Sequence, residues 1–233
     1  MGKDVIVALD FPGREQALGF LDLFEEEKPY VKIGMELFYR EGPEMVREIK
    51  KRGHRIFLDL KLHDIPNTVA AAMRSLGELK VDMVNLHAGG GMAMMRQAVE
   101  ALNALGADKP LVIAVTILTS LSPDAVEQEL LIGRTLPDTV LHYAKNAKEA
   151  GLDGVVCSPL EAASVHQALG SGFVTVTPGI RFADGEKGDQ QRVTTPEQAR
   201  QIGSDYIVVG RPITKASDPV SAYRRCIREF VSA

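Results

Sequence analysis

Short β-branched apolar runs recur along the chain. They are VIVALD (5–10), YVKIGME (30–36), RIFLDL (55–60) and MVNLHA (83–88), then LVIAVTIL (111–118), GVVCSP (154–159), FVTVTPGI (173–180) and YIVVG (206–210). Segments with helical spacing lie between them, such as PEMVREIKKRG and GMAMMRQAVEALNALG. Near-continuous apolar strands alternating with helices predict a parallel sheet covered on both faces. Eight such units in 233 residues predict an α/β fold, a (β/α)8 TIM barrel. A doubly wound open sheet is the alternative, but it has fewer strands and a Gly-rich first turn, and no GxGxxG follows the first strand. No low-complexity linker interrupts the pattern, so residues 1–233 are expected to form one barrel domain.

Several helix starts are legible. SPLE at 158–161 reads as a capping box with proline at the first helical position, and TPEQ at 195–198 and DP at 218–219 read the same way. Ser158 is therefore expected to cap a helix. It is not expected to be a nucleophile, because the Gly-x-Ser-x-Gly elbow is absent. The methionines of GMAMM are expected to fill core.

Composition narrows the class. Hydrophobic residues make up 45% and charged residues 25%, which fits a globular chain. A net charge of −4 without a basic tract argues against nucleic acid and anionic membranes as partners. The two cysteines, Cys157 and Cys226, form no CxxC pair. The start MGKDVIVALD lacks a cleavable apolar stretch, and Ile6 stands where a myristoylation motif wants Ser or Thr. The longest uncharged stretch, PLVIAVTILTSLSP, is too short for a membrane helix. The expectation is a cytoplasmic protein in a reducing compartment.

In such barrels the chemistry sits at the C-terminal ends of the strands, and the polar residues fall there. They are Asp10 after strand 1, Lys32 on strand 2, and Asp59 and Lys61 at the end of strand 3. His87 follows on strand 4, Thr116 and Thr119 on strand 5, Pro178 and Arg181 after strand 7, and Gly210 and Arg211 after strand 8. Strand 3 is the most telling, because FLDLKLHDIPNTV (57–69) sets charges into a run of leucines. Side chains alternate across a strand. Leu58, Leu60 and Leu62 are thus expected on the helix side, and Asp59 and Lys61 in the barrel mouth, within reach of Lys32.

A structural salt-bridge plug is the bland reading of these charges. Buried ion pairs are poor stabilisers, since desolvation cancels most of the Coulomb gain, so chemistry explains them better. A Schiff-base lysine needs an apolar pocket or a neighbouring cation. Lys61 instead has Asp59 and Asp64 on either side in sequence, which favours an ammonium. Asp59 should stay ionised beside Lys32 and Lys61. A fixed carboxylate against a substrate carboxylate raises the ground-state energy. Loss of that group as carbon dioxide relieves the repulsion, and an ammonium can protonate the carbanion left behind.

The loops after strands 7 and 8 form the usual phosphate site of this fold. Gly210 lets backbone N–H groups approach a phosphate, and Arg181 and Arg211 add charged forks. The loop RFADGEKGDQQRV, with Gly185 and Gly188, reads as a lid that brings Gln190 over the phosphate. None of the five histidines pairs at metal-ligand spacing, so no metal is expected. His87 is expected to pack and hydrogen-bond rather than react, and His63 falls past the end of strand 3.

LDLKLHDIPNTV closely resembles the active-site signature of the orotidine 5′-phosphate decarboxylase family, short bacterial type. The resemblance continues through VALD, VKIGMELF, VTILTS, TPGIR, GDQQRV and VVGRPIT, in order over essentially the whole chain. It implies cofactor-free conversion of orotidine 5′-phosphate to UMP and carbon dioxide, the last step of de novo UMP synthesis. Lys61 would protonate C6, and Asp59 would lie against the departing carboxylate. Lys32 and Asp10 would hold the ribose and order the charges, and Thr119 would meet the pyrimidine. Pro178, Arg181, Gln190, Gly210 and Arg211 would line the phosphate end. Asp64 and Thr68 would reach into the site of the partner subunit of a homodimer. The alternatives are a magnesium-dependent sugar-phosphate decarboxylase or aldolase of the same barrel group, whose D-x-K-x-x-D lacks the IPNTV continuation, and a silent phosphate-binding barrel.

Overall fold

The computed structural model describes residues 2–184 and 193–232. Eight parallel strands close into a barrel in sequence order, with β8 pairing back onto β1. The strands are β1 (Asp4–Ala8), β2 (Tyr30–Gly34), β3 (Ile56–Leu62), β4 (Met83–His87), β5 (Leu111–Val115), β6 (Gly154–Val156), β7 (Val174–Thr177) and β8 (Tyr206–Val209). The helices around them are α1 (Arg14–Asp22), α2 (Met35–Glu41), α3 (Pro43–Lys51), α4 (Pro66–Gly77), α5 (Gly91–Asn103), α6 (Pro123–Gln128), α7 (Leu136–Glu149), α8 (Pro159–Leu169), α9 (Pro196–Ile202), α10 (Arg211–Thr214) and α11 (Pro219–Phe230). All eight expected strands are present. β5 and β6 end sooner than their apolar runs, because Pro159 already opens α8 and the chain leaves the ladder after Val115.

Alternation sorts each strand into two cores. Val5 and Val7 of β1, with Leu58 and Leu60 of β3, pack outward on the helices. Ile6, Ala8, Tyr30, Phe57, Met83, Ile113 and Val176 fill the barrel axis. Met94 and Met95 are fully buried between barrel and helices, as expected. The N-terminal end of the barrel is closed with charge. Asp82, Asp153 and Asp205 precede β4, β6 and β8, and their carboxylates accept the N–H groups of Ile56, Val112 and Thr175 on neighbouring strands. These rungs would otherwise be orphaned. The helix starts follow the sequence. Ser158 with Glu161 and Thr195 with Gln198 form capping boxes on α8 and α9, and Asp218 caps α11.

Candidate active site

The C-terminal rim gathers most of the expected residues. Lys32, on β2, reaches Asp10 at 2.9 Å and Asp59 at 3.4 Å. Lys61 Nζ lies 2.7 Å from Asp59 Oδ1. The order is thus Asp10, Lys32, Asp59, Lys61, alternating in sign. Asp59 is 8% exposed. Burial opposes its charge, but Lys32 and Lys61, with the hydrogen bonds from Lys61 and Asn85, outweigh that and hold its carboxyl below the usual range. Burial likewise opposes the charge of Lys32, and Asp59 and Asp10 overcome it, so its ammonium sits above the usual lysine value. Both partners give the same account of a fully ionised pair.

Lys61 does not reach the mouth by alternation alone. The β3–β4 register pairs Leu58 with Val84 and then Leu62 with Leu86, so Asp59, Leu60 and Lys61 face Asn85 alone. Lys61 takes up the surplus with a left-handed backbone, φ 53°. That costs a non-glycine residue roughly 1–2 kcal/mol. The Lys61 N–H donates to Asn85 Oδ1 at 2.8 Å, and Asn85 Nδ2 donates to Asp59 Oδ1 at 2.6 Å. Sequence reasoning passed over Asn85. Its signal was a lone amide inside the apolar run MVNLH. Gly34 was passed over too. A Cβ there would lie 2.8 Å from Lys32 Nζ and 3.4 Å from Asp10 Oδ1, so its missing side chain is space the array uses.

Asp64 and Thr68 stand apart from this array. Both are exposed, Thr68 on the first turn of α4. Asp64 accepts a hydrogen bond from the Ile65 N–H, and among the described residues it forms no ion pair with Lys61. Thr116, one of the strand-end residues, is taken up structurally, donating to the Val156 carbonyl at 2.9 Å. Thr119 is buried just beyond β5. His87 is half-buried beside His63, ring centroids 5.5 Å apart. Burial, then the charges of His63 and Lys61, push its pKa down. Its packing is as expected. The expected hydrogen bond is not found among the described residues.

At the other side of the rim, Pro178 and Gly179 lead from β7 into Arg181. Arg181 donates to the Ile180 carbonyl at 2.8 Å. Burial and then the charge of Arg211 work against its guanidinium and lower its pKa. Two neighbouring cations of this kind favour an anion between them. Gly210 leads from β8 into α10, and a Cβ there would come 3.9 Å from Asp10 Oδ2, which ties this loop to the array. A cavity of about 800 Å³ opens beside Arg181, Phe182, Arg211 and Lys215. Nearby, the Arg181 N–H donates to the Thr194 carbonyl and the Thr194 N–H to the Gly179 carbonyl. Gln190, Gly185 and Gly188 lie outside the described residues.

A closed (β/α)8 barrel with an alternating lysine–carboxylate array and neighbouring arginines at its C-terminal rim is the build of a barrel enzyme. Comparison with known proteins takes this further. Residues 3–226 match the model of the "Orotidine 5'-phosphate decarboxylase / HUMPS family". A Bacillus anthracis protein named orotidine 5′-phosphate decarboxylase is 57% identical over 227 residues, 96% of this chain and 95% of that one. The crystal structure of orotidine 5′-phosphate decarboxylase from Lactobacillus acidophilus superposes with a TM-score of 0.88 at 43% identity, covering 98% of this chain and 99% of the other. An uncharacterized conserved protein from Geobacillus kaustophilus superposes with 0.87 at 48% identity, over 97% and 99%. The chain belongs to the orotidine 5′-phosphate decarboxylase / HUMPS family.

Proposed function

We propose that this chain decarboxylates orotidine 5′-phosphate to UMP and carbon dioxide without a cofactor. The observation that carries the reading is the part-buried Asp10–Lys32–Asp59–Lys61 array, alternating in sign, in a chain whose family is named for this decarboxylation. The substrate carboxylate would lie against Asp59. Two anions in a partly dry site repel, and that repulsion is present in the ground state and absent once carbon dioxide departs. The C6–carboxyl bond breaks and its electron pair stays on C6. The Lys61 ammonium delivers a proton there, and Lys61 regains one from solvent after product release. Lys32 and Asp10 hold the ribose hydroxyls and fix Asp59, and Thr119 meets the pyrimidine. Pro178, Arg181, Gly210 and Arg211, with Gln190, hold the phosphate.

The unit would be a cytoplasmic homodimer, with Asp64 and Thr68 entering the partner's site. Exposed Met35, Tyr39 and Ile65 follow β2 and β3 on the same rim as Asp64 and support a contact there. No helix among the described residues is long and apolar enough to cross a membrane. The test is direct: loss of orotidine absorbance and release of carbon dioxide from orotidine 5′-phosphate, with and without EDTA. Turnover that EDTA abolishes and magnesium restores refutes the cofactor-free reading. Absence of turnover refutes the decarboxylase.

A further inference from the structure

We infer that Asn85 is a positioning residue for this reaction, its one amide setting both the direction of the Asp59 carboxylate and the left-handed turn that carries Lys61 into the mouth. The kinetic part of the inference rests on the decarboxylase reading; the geometric part does not. Asn85 is fully buried on β4, among apolar Met83, Val84 and Leu86, on a strand that ends in half-buried His87. A buried amide in such company needs partners for both its ends, and it has them. The Lys61 N–H can only donate and an ionised carboxylate can only accept, so the amide has one satisfied orientation: oxygen to Lys61, nitrogen to Asp59.

The position is special because of the bulge. Three residues of β3 face one residue of β4, so Lys61 N–H has no β4 carbonyl opposite it. The Asn85 side chain supplies the missing rung. It thereby holds Lys61 at φ 53°, a conformation lysine seldom adopts unsupported. Its other end fills one of the acceptor positions of Asp59 Oδ1, whose remaining strong contact is Lys61 Nζ at 2.7 Å. Asp59 Oδ2 is left facing Lys32 at 3.4 Å. Without the amide, Asp59 is free to rotate toward both lysines, and the Lys61 N–H loses the acceptor that Asn85 gives it. Asn85 is fully buried with both ends of its amide bound, so its effect runs through Asp59 and Lys61.

The test uses Asn85→Ala and Asn85→Asp in the full-length protein, below the melting temperature of each. For Asn85→Ala, kcat should fall about 100-fold, the scale of a small misplacement of reacting groups, while KM and UMP affinity stay within roughly 3-fold. Asn85→Asp keeps an acceptor for the Lys61 N–H but sets a second carboxylate against Asp59. The ¹³C titration of the Asp59 carboxyl and the acid limb of kcat/KM should both move to higher pH. In the unaltered protein, the Asn85 side-chain amide protons should exchange slowly, and their shift should follow Asp59 ionisation. That measurement holds even if neither variant folds. Retained kcat in Asn85→Ala, an unmoved Asp59 titration in Asn85→Asp, or fast-exchanging amide protons overturns the inference. An unaltered protein with no turnover refutes the decarboxylase, and the titration and exchange results still decide whether Asn85 sets Asp59.

Discussion

Gly34→Ala tests the array without touching a charged residue. The new Cβ would lie 2.8 Å from Lys32 Nζ, and ordinary contact begins near 3.4 Å. The amine must retreat by the difference, about 0.6 Å. A lysine tip is flexible, so the backbone does not have to move. Gly34 itself has φ −90°, ψ −178°, an extended conformation that alanine adopts without strain. Alanine also narrows the unfolded ensemble, by about 0.4–1 kcal/mol where the native angles suit it. The variant should therefore fold with a melting temperature close to the parent's. The displacement falls on the cation that joins Asp10 at 2.9 Å to Asp59 at 3.4 Å. Misplacements approaching an ångström in reacting groups can cost 10²-fold, so kcat/KM should drop by roughly 10- to 100-fold. Steady-state turnover with a thermal melt on the same sample measures both. Wild-type turnover in a folded Gly34→Ala would show that the Lys32 position is immaterial. A loss that merely tracks unfolding would place the clash in the backbone instead.

Three further outcomes follow from the same geometry. Arg211→Ala should weaken UMP by about 10- to 150-fold while leaving uridine almost unchanged in a calorimetric titration; equal losses would remove Arg211 from the phosphate site. Lys61→Ala and Asp64→Asn subunits, each nearly inactive alone, should regain activity toward one working site per heterodimer when mixed; exchange seen by sedimentation without recovered turnover would return Asp64 to its own subunit. The depressed pKa of Asp59 contributes stability that is complete above the unfolded carboxyl value near 4 and is lost as pH falls through the still lower folded value. The stability difference between wild type and Asp59→Asn should thus be flat from about pH 8 down to 5 and shrink only in more acid solution; shrinkage beginning near pH 6 would mean that burial, not the lysines, governs Asp59.

The barrel was legible because its eight strands are apolar on both faces, a pattern that only a covered parallel sheet requires. Asp59, Lys32 and Asp10 were legible because charge inside such strands is costly and therefore conspicuous. Arg181 and Arg211 could be placed from fold position alone. The bulge was not legible. LDLKL alternates regularly on paper, and nothing in the residue types announces that β4 supplies one partner where β3 supplies three. Period-two reasoning put Lys61 on the right side of the sheet for an incomplete reason. It also had no means of seeing Gly34, because a glycine's service here is the volume it leaves empty. Asn85 was visible as a letter, but its meaning depended on a register that only the assembled strands define.

The two ends of the barrel show why the upper charges are read as chemistry and the lower ones as structure. At the lower end Arg55 is paired with Asp4 and stacked over the Tyr30 ring at 4.5 Å, and Tyr30 packs edge-on to Tyr206. Asp82, Asp153 and Asp205 each accept a backbone N–H of a neighbouring strand. Those charges spend their hydrogen-bonding capacity on the protein. At the upper end the capacity is unequal. The Lys61 ammonium has three donors, and among the described residues its side chain meets one acceptor, Asp59 Oδ1. Asp10 is held by Lys32 through one oxygen, and its side chain is 60% exposed at the mouth. A plug evolved for stability would close these valences or replace the ions with well-packed apolar side chains, which is often neutral or stabilising. Donors left open at the C-terminal rim, beside a carboxylate that cannot readily be protonated, suit a ligand that brings its own anion and takes a proton away.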